Sequence, residues 1–192
     1  MDGRDLIAGA RTGTGKTAAF LLPLIEVIFG YKPKVESSVR ALIVVPTREL
    51  ALQIDQQMQA IAYFTPITSM PVYGGSDGAS FDQQKAALSG GTEVIVATPG
   101  KLLSHLNLGY VSIEGLEFLV LDEADRMMDM GFIDDINRII KFLPKGRQTL
   151  MSSAPMAPPT RELAKNTPHG PLEISTALSK PAEGVKQEAY VV

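Results

Sequence analysis

The sequence predicts an open, mostly parallel, doubly wound α/β sheet with helices on both faces. Short apolar runs alternate along the chain with segments of helical periodicity, which is the pattern of repeated strand–helix units. Two of these runs, Ala41–Val45 and Phe118–Leu121, are apolar at every position, as expected for parallel strands that are covered on both faces. In addition, the unusual polar and glycine-rich segments follow predicted strands, at the edge where such sheets bind ligands.

The alternation places each element in turn. The first strand leads into a glycine-rich loop and a helix that opens at Lys16, and each later strand leads through a short segment into the next helical pattern. The predicted strands are Asp5–Ala8, Ala41–Val45, Thr68–Val72, Glu93–Ala97, Phe118–Leu121 and Gln148–Met151. The predicted helices are Lys16–Ile28, Arg48–Phe64, Ser80–Leu88, Lys101–Leu106, Ile133–Phe142 and Pro158–Asn166.

Both ends of the chain suggest one domain of a longer protein. The first strand begins within a few residues of Met1, whereas Pro168–Gly184 is rich in proline, serine and glycine and is interpreted as a connector. Gln187–Val192 then begins a new strand-like run. We therefore predict one domain over residues 1–167, followed over residues 168–192 by a linker and the start of a second domain.

Composition and charge narrow the function classes. The chain has 192 residues, 45% hydrophobic and 20% charged, which is typical of one globular domain. Its net charge of −3 means that a nucleic acid would have to be bound by a local patch. The sequence contains no cysteine, which excludes disulfides and thiolate metal sites. No apolar run approaches the about 20 residues of a membrane span, and the N-terminus lacks a signal-peptide pattern. We expect a cytoplasmic chain without membrane contact, monomeric in isolation.

Residues 10–17 form a candidate phosphate-binding loop. They lie between a predicted strand and a predicted helix and end in glycine, lysine and threonine, which is the context that a P-loop needs. Backbone N–H groups of such a loop and the helix N-terminus bind phosphate oxygens. We expect Lys16 to neutralise the outer phosphates and the Thr17 hydroxyl to bind Mg²⁺. The predicted nucleotide-binding residues are Ala10, Arg11, Thr12, Gly13, Thr14, Gly15, Lys16 and Thr17.

An alternative interpretation of this loop is a dinucleotide-binding fingerprint, because Gly13–Ala18 also fits the pattern G-x-G-x-x-A. That fold needs an acidic residue about 20 positions further on, at the end of the second strand. The second strand instead ends in Pro46-Thr47-Arg48, and Glu36 lies in the loop before it. The sequence therefore favours a triphosphate loop, with Ala10 in the place of the first P-loop glycine.

A second candidate site is the acidic segment that follows strand Phe118–Leu121. Asp122 comes after four apolar residues, so its carboxylate is expected at the strand tip close to the phosphate loop. We expect it to hold Mg²⁺ through water, because this ion loses its waters reluctantly. Glu123 would orient and deprotonate the attacking water. The predicted catalytic residues are thus Lys16, Asp122 and Glu123, and the predicted metal ligands are Thr17 and Asp122.

The ordered set of motifs resembles the DEAD-box ATP-dependent RNA helicases. Further segments match that family in order: three lie between the phosphate loop and Asp122-Glu123-Ala124-Asp125, and two follow the acidic segment. The resemblance covers nearly the whole chain. It implies a RecA-like, P-loop N-terminal helicase domain that binds ATP, Mg²⁺ and RNA and works with a second RecA-like domain of the same polypeptide. The further segments are Pro46-Thr47-Arg48-Glu49-Leu50, Gly74-Gly75, Thr98-Pro99-Gly100-Lys101, Gly131-Phe132 and Ser153-Ala154-Pro155.

Three of these segments would contact RNA. Arg48 and Lys101 stand at predicted helix starts, where the helix dipole attracts phosphate. None of these three segments contains an aromatic residue, so we expect contacts to phosphate and sugar with little sequence preference. The predicted RNA-binding residues are Pro46, Thr47, Arg48, Gly74, Gly75, Thr98, Pro99, Gly100 and Lys101. The resemblance assigns the coupling of hydrolysis to unwinding to Asp125, Ser153 and Ala154.

Three residues depart from the family's pattern. Pro155 replaces a threonine and has neither a hydroxyl nor an N–H, so we expect weaker coupling between hydrolysis and strand separation. Lys101 replaces an arginine and loses its bidentate fork. Nothing in the sequence explains Arg11, which stands where relatives often carry glutamine.

The resemblance also implies what this chain cannot do alone. The family's adenine-reading segment would precede the first strand, and the arginines that complete the ATP site belong to the second domain. We therefore expect weak, poorly base-selective nucleotide binding and little turnover by these 192 residues. Two alternatives to an ATP-driven RNA-remodelling domain remain: a nucleotide-gated RNA clamp with negligible turnover, and a P-loop ATPase of another kind, such as a DNA translocase.

Overall fold

The chain folds as an open parallel sheet with helices on both faces, as predicted. The computed structural model describes residues 3–9, 15–75, 78–153, 163 and 170–175. Within these ranges, seven strands form a single sheet in the order β3-β4-β2-β5-β6-β1-β7, and every pairing is parallel. The strands are β1 (Leu6–Gly9), β2 (Ala41–Val44), β3 (Ser69–Val72), β4 (Val94–Ala97), β5 (Phe118–Leu121), β6 (Gln148–Ser153) and β7 (Leu172–Ser175).

The helices of the described ranges connect these parallel strands. Helix α1 has a proline, Pro23, in its interior, and no helix of the described residues is long and apolar enough to cross a membrane. The helices are α1 (Lys16–Gly30), α2 (Arg48–Ile61), α3 (Gly78–Ser89), α4 (Pro99–Asn107), α5 (Ala124–Asp129) and α6 (Ile133–Phe142).

The sheet has a hydrophobic core on each face. Because successive strand side chains point to opposite faces, the fully apolar β2 supplies both cores. Leu42 and Val44 belong to the core that α4 and α6 cover, whereas Ile43 and Val45 belong to the core that α1 and α2 cover. Burial on both faces is therefore the reason why β2, β4 and β5 show no alternation of polar and apolar residues.

The structure corrects the predicted elements at several points. Helix α2 ends at Ile61 instead of Phe64, which lies in the loop beyond it with 92% of its surface exposed. Helix α4 already begins at Pro99, so Lys101 lies within its first turn. The short helix α5 had no counterpart in the prediction; it forms because Met127 packs into the core. The predicted helix Pro158–Asn166 lies outside the described residues apart from Leu163, which is helical and buried.

The interpretation of Pro168–Gly184 as a connector was wrong for Leu172–Ser175. These residues form β7, which pairs with β1 at the edge of the sheet, with Leu172 opposite Leu6. In β7, Leu172 and Ile174 alternate with polar residues and are exposed. The segment therefore lacks the continuous apolar run that identified β2, β4 and β5 in the sequence. The predicted start of a second domain at Gln187–Val192 lies outside the described residues and stays a prediction.

The parallel arrangement brings all carboxyl ends of the strands to one edge of the sheet. Here β5, β6 and β1 are consecutive, as are β3, β4 and β2, and the two groups meet where β2 pairs with β5. We call these two halves of the edge the β1–β6–β5 half and the β2–β4–β3 half. The acidic segment and the phosphate loop follow strands of the first half, and the predicted RNA-binding segments follow strands of the second.

Candidate nucleotide and RNA sites

The end of the phosphate loop has the geometry that a P-loop requires. Gly15 caps α1 in the left-handed conformation, with φ of 80° and ψ of 14°, which a glycine adopts without steric cost. Its carbonyl accepts the N–H of Ala19 at 3.1 Å, so Lys16 and Thr17 form the first turn of α1. The N–H groups in the first turn of a helix favour an anion. The remaining predicted loop residues, Ala10, Arg11, Thr12, Gly13 and Thr14, lie outside the described residues.

Asp122 is held at the tip of β5 by its neighbour on β6. Only 4% of its surface is exposed, and its Oδ1 accepts hydrogen bonds from the Ser152 hydroxyl and from the Glu123 N–H, the latter at 3.1 Å. The Glu123 N–H also lies 3.3 Å from Ser152 Oγ. Within the described part of the chain, Asp122 Oδ2 accepts no hydrogen bond. This arrangement fixes one carboxylate oxygen and leaves the other for a ligand.

Glu123 has a strained backbone at the point where the chain leaves the sheet. Its φ of 53° and ψ of 49° lie in the left-handed region, which costs a non-glycine residue about 1–3 kcal/mol. Its carboxylate lies 3.3 Å from the guanidinium of Arg126, whose side chain is 57% exposed, so this ion pair adds little stability. Strain at a residue with a half-buried carboxylate is typical of functional positions.

One cavity joins these residues. It has a volume of about 590 Å³, in the range of nucleotide-sized pockets. The end of the phosphate loop and the acidic tip both line it, although they are more than 100 residues apart in the sequence, so the structure brings all three predicted catalytic residues together. The described lining residues are Gly15, Lys16, Thr17, Ala18, Leu50, Gln53, Gln57, Ala60, Ile61, Asp122 and Glu123.

The oxygen donors in this cavity fit a magnesium ion. Thr17 offers a hydroxyl and Asp122 a carboxylate oxygen, both on the wall of the same cavity. Magnesium binds through one or two protein oxygens and keeps several of its waters beside substrate phosphates. No group of three or more histidine, cysteine, aspartate or glutamate side chains is gathered among the described residues as a potential metal cage. The donor set therefore suits a hydrated Mg²⁺ that arrives with a nucleotide.

Sequence reasoning missed three polar residues of this site. Ser152 contacts Asp122 because β5 and β6 pair with Leu121 opposite Met151, which places the next residues side by side. Gln53 and Gln57 line the cavity from α2, one helical turn apart. Their spacing of four was visible in the sequence, but only the packing of α2 beside α1 turns that face toward the phosphate loop.

The predicted coupling residues are placed as follows. Asp125 lies half-buried in the first turn of α5, directly after the acidic tip. Ser153 is the last residue of β6 and is fully buried. Ala154 and the unusual Pro155 lie outside the described residues.

On the β2–β4–β3 half, the segment after β2 begins a capped helix. Pro46 is buried, and the Thr47 hydroxyl accepts the N–H of Leu50 at 3.3 Å, as an N-cap does. Arg48, the first residue of α2, is exposed. Its guanidinium carbon lies 4.6 Å from the ring centroid of Tyr73, within cation–π range.

The glycine doublet follows Tyr73 directly. Gly74 and Gly75 are exposed, and Gly75 has a φ of 81°, which favours glycine. The Thr98 N–H donates to the carbonyl of Val72 at 2.9 Å, so the start of the α4 segment is tied to the end of β3. The backbones of these two predicted RNA-binding segments are therefore neighbours on the edge of the sheet.

The segment after β4 forms the first turn of α4. Pro99 stands at the start of the helix, where its missing N–H costs nothing. A side chain on Gly100 would meet only the Asp135 carboxylate, at 3.6 Å. The ammonium of Lys101 lies 4.5 Å from the ring centroid of Phe81 on α3. Arg48 and Lys101, the two cations predicted to bind RNA, thus both lie against aromatic rings. These rings, Tyr73 and Phe81, come from outside the predicted RNA-binding segments.

His105 is a packed residue on α4. None of its surface is exposed, and its ring nitrogens contact Tyr110 and Gln84. Burial, and secondarily the charge of Lys101, lower the pKa of His105 from 6.5 to about 4. The imidazole is therefore neutral at physiological pH and carries no charge into the site.

Comparisons with known proteins agree with this geometry. The chain is 44% identical over 171 residues to "ATP-dependent RNA helicase CshA" of Listeria monocytogenes, a match that covers 89% of this chain and 32% of that protein. It is 41% identical over 190 residues to "ATP-dependent RNA helicase DeaD" of Mycobacterium tuberculosis, covering 97% and 32%. Against the crystal structure of a DEAD box protein from Methanococcus jannaschii, the TM-score is 0.81 at 34% identity, covering 90% of this chain and 45% of that one.

The matches cover most of this chain but only part of each relative, so they assign the chain to a family. The chain spans about a third of the length of the two curated relatives. The family described as DEAD/DEAH box helicase matches residues 1–167, which include the phosphate loop, the acidic tip and all predicted RNA-binding segments. The chain therefore belongs to the DEAD/DEAH box helicase family.

Proposed function

We propose that the chain is the ATP-binding domain of an ATP-dependent RNA helicase. It binds Mg·ATP in the cavity of the β1–β6–β5 half and single-stranded RNA backbone along the β2–β4–β3 half. With a second RecA-like domain of the same polypeptide, it couples hydrolysis to unwinding or remodelling of RNA. The observation that carries the proposal is the convergence of Lys16, Thr17, Asp122 and Glu123 on one cavity.

Each cavity residue has a distinct role in the proposed hydrolysis. Lys16 and the N–H groups of the first turn of α1 bind the outer phosphates and neutralise their charge. The Thr17 hydroxyl and Asp122 Oδ2 hold the hydrated Mg²⁺, and Ser152 keeps Asp122 in one orientation. The Glu123 carboxylate orients a water and accepts its proton as the water attacks. The metal supplies charge stabilisation for the phosphates when it is bound.

The RNA half of the proposal rests on charge, exposed backbone and the named relatives. Arg48 and Lys101 bring positive charge to helix starts on a chain of net charge −3, so the attraction for phosphate is local. The exposed Gly74–Gly75 backbone lets a strand approach closely. The printed names of the relatives specify RNA helicases.

A calorimetric titration of the 192-residue chain with Mg·ADP and Mg·ATP tests the nucleotide half. We expect binding that disappears in Lys16→Ala and persists in Lys145→Ala, the exposed lysine before β6 that serves as the matched control. Binding that survives Lys16→Ala would contradict the assignment of the cavity. Similar affinities for ATP and GTP are expected because the roles assigned to Lys16, Thr17, Asp122 and Glu123 concern phosphate, Mg²⁺ and water, and none of them concerns the base.

Competition between RNA and DNA of one sequence tests the RNA half. The two differ at the 2′-hydroxyl and the thymine methyl, and a surface that binds the RNA backbone discriminates through the 2′-hydroxyl. We expect a fluorescein-labelled oligouridylate to be displaced more readily by unlabelled RNA than by DNA. Equal displacement would favour a general P-loop translocase over an RNA helicase.

A further inference from the structure

Four side chains behind the β2–β4–β3 half form a cluster that no predicted site includes. They are Phe81 and Gln84 on α3, His105 on α4 and Tyr110 in the loop after α4, and we call them the α3–α4 cluster. Gln84 is 3% exposed and His105 is fully buried. Neither of these two can contact a nucleic acid directly, so any influence on binding must act through their neighbours.

A relay of hydrogen bonds crosses the cluster. The Gln84 amide donates to the backbone carbonyl of Tyr73 at 3.4 Å, which turns its Oε1 toward His105 Nε2 at 3.0 Å. His105 Nε2 must therefore carry the proton, and its Nδ1 accepts the hydroxyl of Tyr110. The relay thus connects α4 and the loop after it to the residue that directly precedes Gly74.

Aromatic contacts connect the same cluster to both cations. The Phe81 ring stacks on His105 with centroids 4.8 Å apart and an angle of 13° between the planes, and Lys101 lies over Phe81. Tyr73, whose carbonyl Gln84 binds, carries Arg48 over its ring. Contacts of the cluster therefore reach Lys101 directly, and Gly74 and Arg48 through Tyr73.

We propose that Gln84 and His105 are positioning residues for RNA binding, holding the Gly74–Gly75 turn and the first turn of α4 at a fixed spacing. This inference rests on the proposed RNA-binding function of the β2–β4–β3 half. An RNA strand that binds through several phosphates requires protein contacts at fixed distances from one another. A contact that is displaced no longer reaches its phosphate and contributes nothing to the affinity. Two buried side chains would thus control affinity without touching the ligand.

The test compares Gln84→Leu with Gln83→Leu, a neighbouring glutamine on α3 that is exposed. Binding of a fluorescein-labelled 12-nucleotide oligouridylate is followed by anisotropy, and Mg·ADP binding by calorimetry. Gln84→Leu removes the hydrogen bonds of the amide to Tyr73 and His105, so we expect RNA affinity to fall about 5–10-fold with less than a twofold change for Mg·ADP. Gln83→Leu should match the parent chain in both assays.

Conservative replacement of the histidine provides a rescue. In His105→Gln, the side-chain amide can donate to Gln84 Oε1 in place of Nε2, so we expect RNA affinity within about twofold of the parent. His105→Leu cannot donate and should lose RNA affinity as Gln84→Leu does. A loss of RNA and nucleotide affinity together, or equal affinity in folded Gln84→Leu, would overturn the positioning role.

Hydrogen exchange separates this inference from the proposed function. Gln84→Leu should speed amide exchange at Thr98, whose N–H donates to Val72 at the end of β3, and at Leu102, whose N–H donates to Thr98. Exchange at the core strand Phe118–Leu121 should stay unchanged. This readout needs no RNA. Unchanged exchange at these two amides would refute the inference even if the chain binds RNA. If Gln84→Leu shows the predicted exchange but the parent chain binds no RNA, the RNA half of the proposed function is refuted instead.

Discussion

The two halves of the carboxyl edge of the sheet are constructed in different ways. On the β1–β6–β5 half, residues of two contiguous motifs line one cavity, and an added serine hydroxyl fixes the central carboxylate. On the β2–β4–β3 half, two cations lie over rings from outside their motifs, and a buried relay connects the elements behind them. We therefore expect the proposed nucleotide site to depend on single functional groups, and the proposed RNA surface to depend on the packing that keeps several weak contacts at fixed spacing.

The largest single effect is expected at the nucleotide half, in Glu123→Gln. The amide keeps the size of the side chain but cannot accept a proton, so hydrolysis should fall by at least about 100-fold. Affinity for Mg·ATP should stay within about threefold. Because little turnover is expected from these 192 residues alone, single-turnover hydrolysis is measured in the proposed longer polypeptide with protein in excess, and calorimetry measures the affinity. Asp129→Asn, an exposed carboxylate at the end of α5, is the control. Undiminished hydrolysis in Glu123→Gln would remove Glu123 from the mechanism.

A second prediction tests whether the hydrogen bond from Ser152 to Asp122 on the β1–β6–β5 half contributes to hydrolysis. Ser152→Ala removes the hydroxyl that donates to Asp122. A hydrogen bond to a charged group contributes about 1.5–3 kcal/mol, so we expect hydrolysis to fall roughly 10-fold or more and the half-maximal rate to require a higher Mg²⁺ concentration. A magnesium titration of single-turnover rates measures this, with the exposed Ser89→Ala as control. Rates equal to the parent would mean that Asp122 is oriented by the backbone alone.

On the RNA half, each cation should have a smaller and separable effect. Arg48→Ala and Lys101→Ala should each weaken RNA binding by about 3–10-fold and lower the slope of log affinity against log salt by about 0.7 per lost phosphate contact. Mg·ADP affinity should not change. Lys101→Arg should retain binding, because it keeps the charge over Phe81. An unchanged salt slope in both alanine variants would place the RNA phosphates elsewhere.

The smallest effect is a pH dependence of stability that originates in the α3–α4 cluster. The pKa of His105 is lowered to about 4 by burial and by Lys101, so between pH 6.5 and about 4 the unfolded chain binds a proton that the folded chain does not. The free energy of unfolding should therefore fall as the pH is lowered through that window. Thermal unfolding at pH 7 and pH 5 should show a drop of several degrees.

His105→Gln provides the matched comparison for this prediction, because glutamine does not titrate. Its loss of thermal stability between pH 7 and pH 5 should be smaller than that of the parent. Asp55, whose pKa is raised by burial, is unchanged in both chains and cancels in the difference. Identical pH profiles would mean that the His105 environment admits a proton without loss of packing.

The fold followed closely from the sequence because burial on both faces leaves a strong local signal. The bounds of β2 to β5 were predicted to within one residue. β2, β4 and β5 are short apolar runs, whereas β3 contains Ser69 and Pro71 and is only partly buried. β7 was missed because two of its residues, Leu172 and Ile174, are exposed at the edge and its surroundings resemble a linker. α5 was missed because six residues are too few to show helical periodicity.

Some residues of the candidate sites could be predicted from the sequence, whereas the contacts that position them are visible only in the tertiary structure. The sequence by itself predicted the residues to which we assign the chemistry, such as Lys16, Asp122 and Glu123, because phosphate and magnesium chemistry requires those residue types at fixed local spacing. Only the tertiary structure decided that Ser152 orients Asp122 and that Gln84 and His105 stand behind Lys101. Strand register and helix packing bring together residues far apart in the chain, and no local pattern in the sequence specifies those distances.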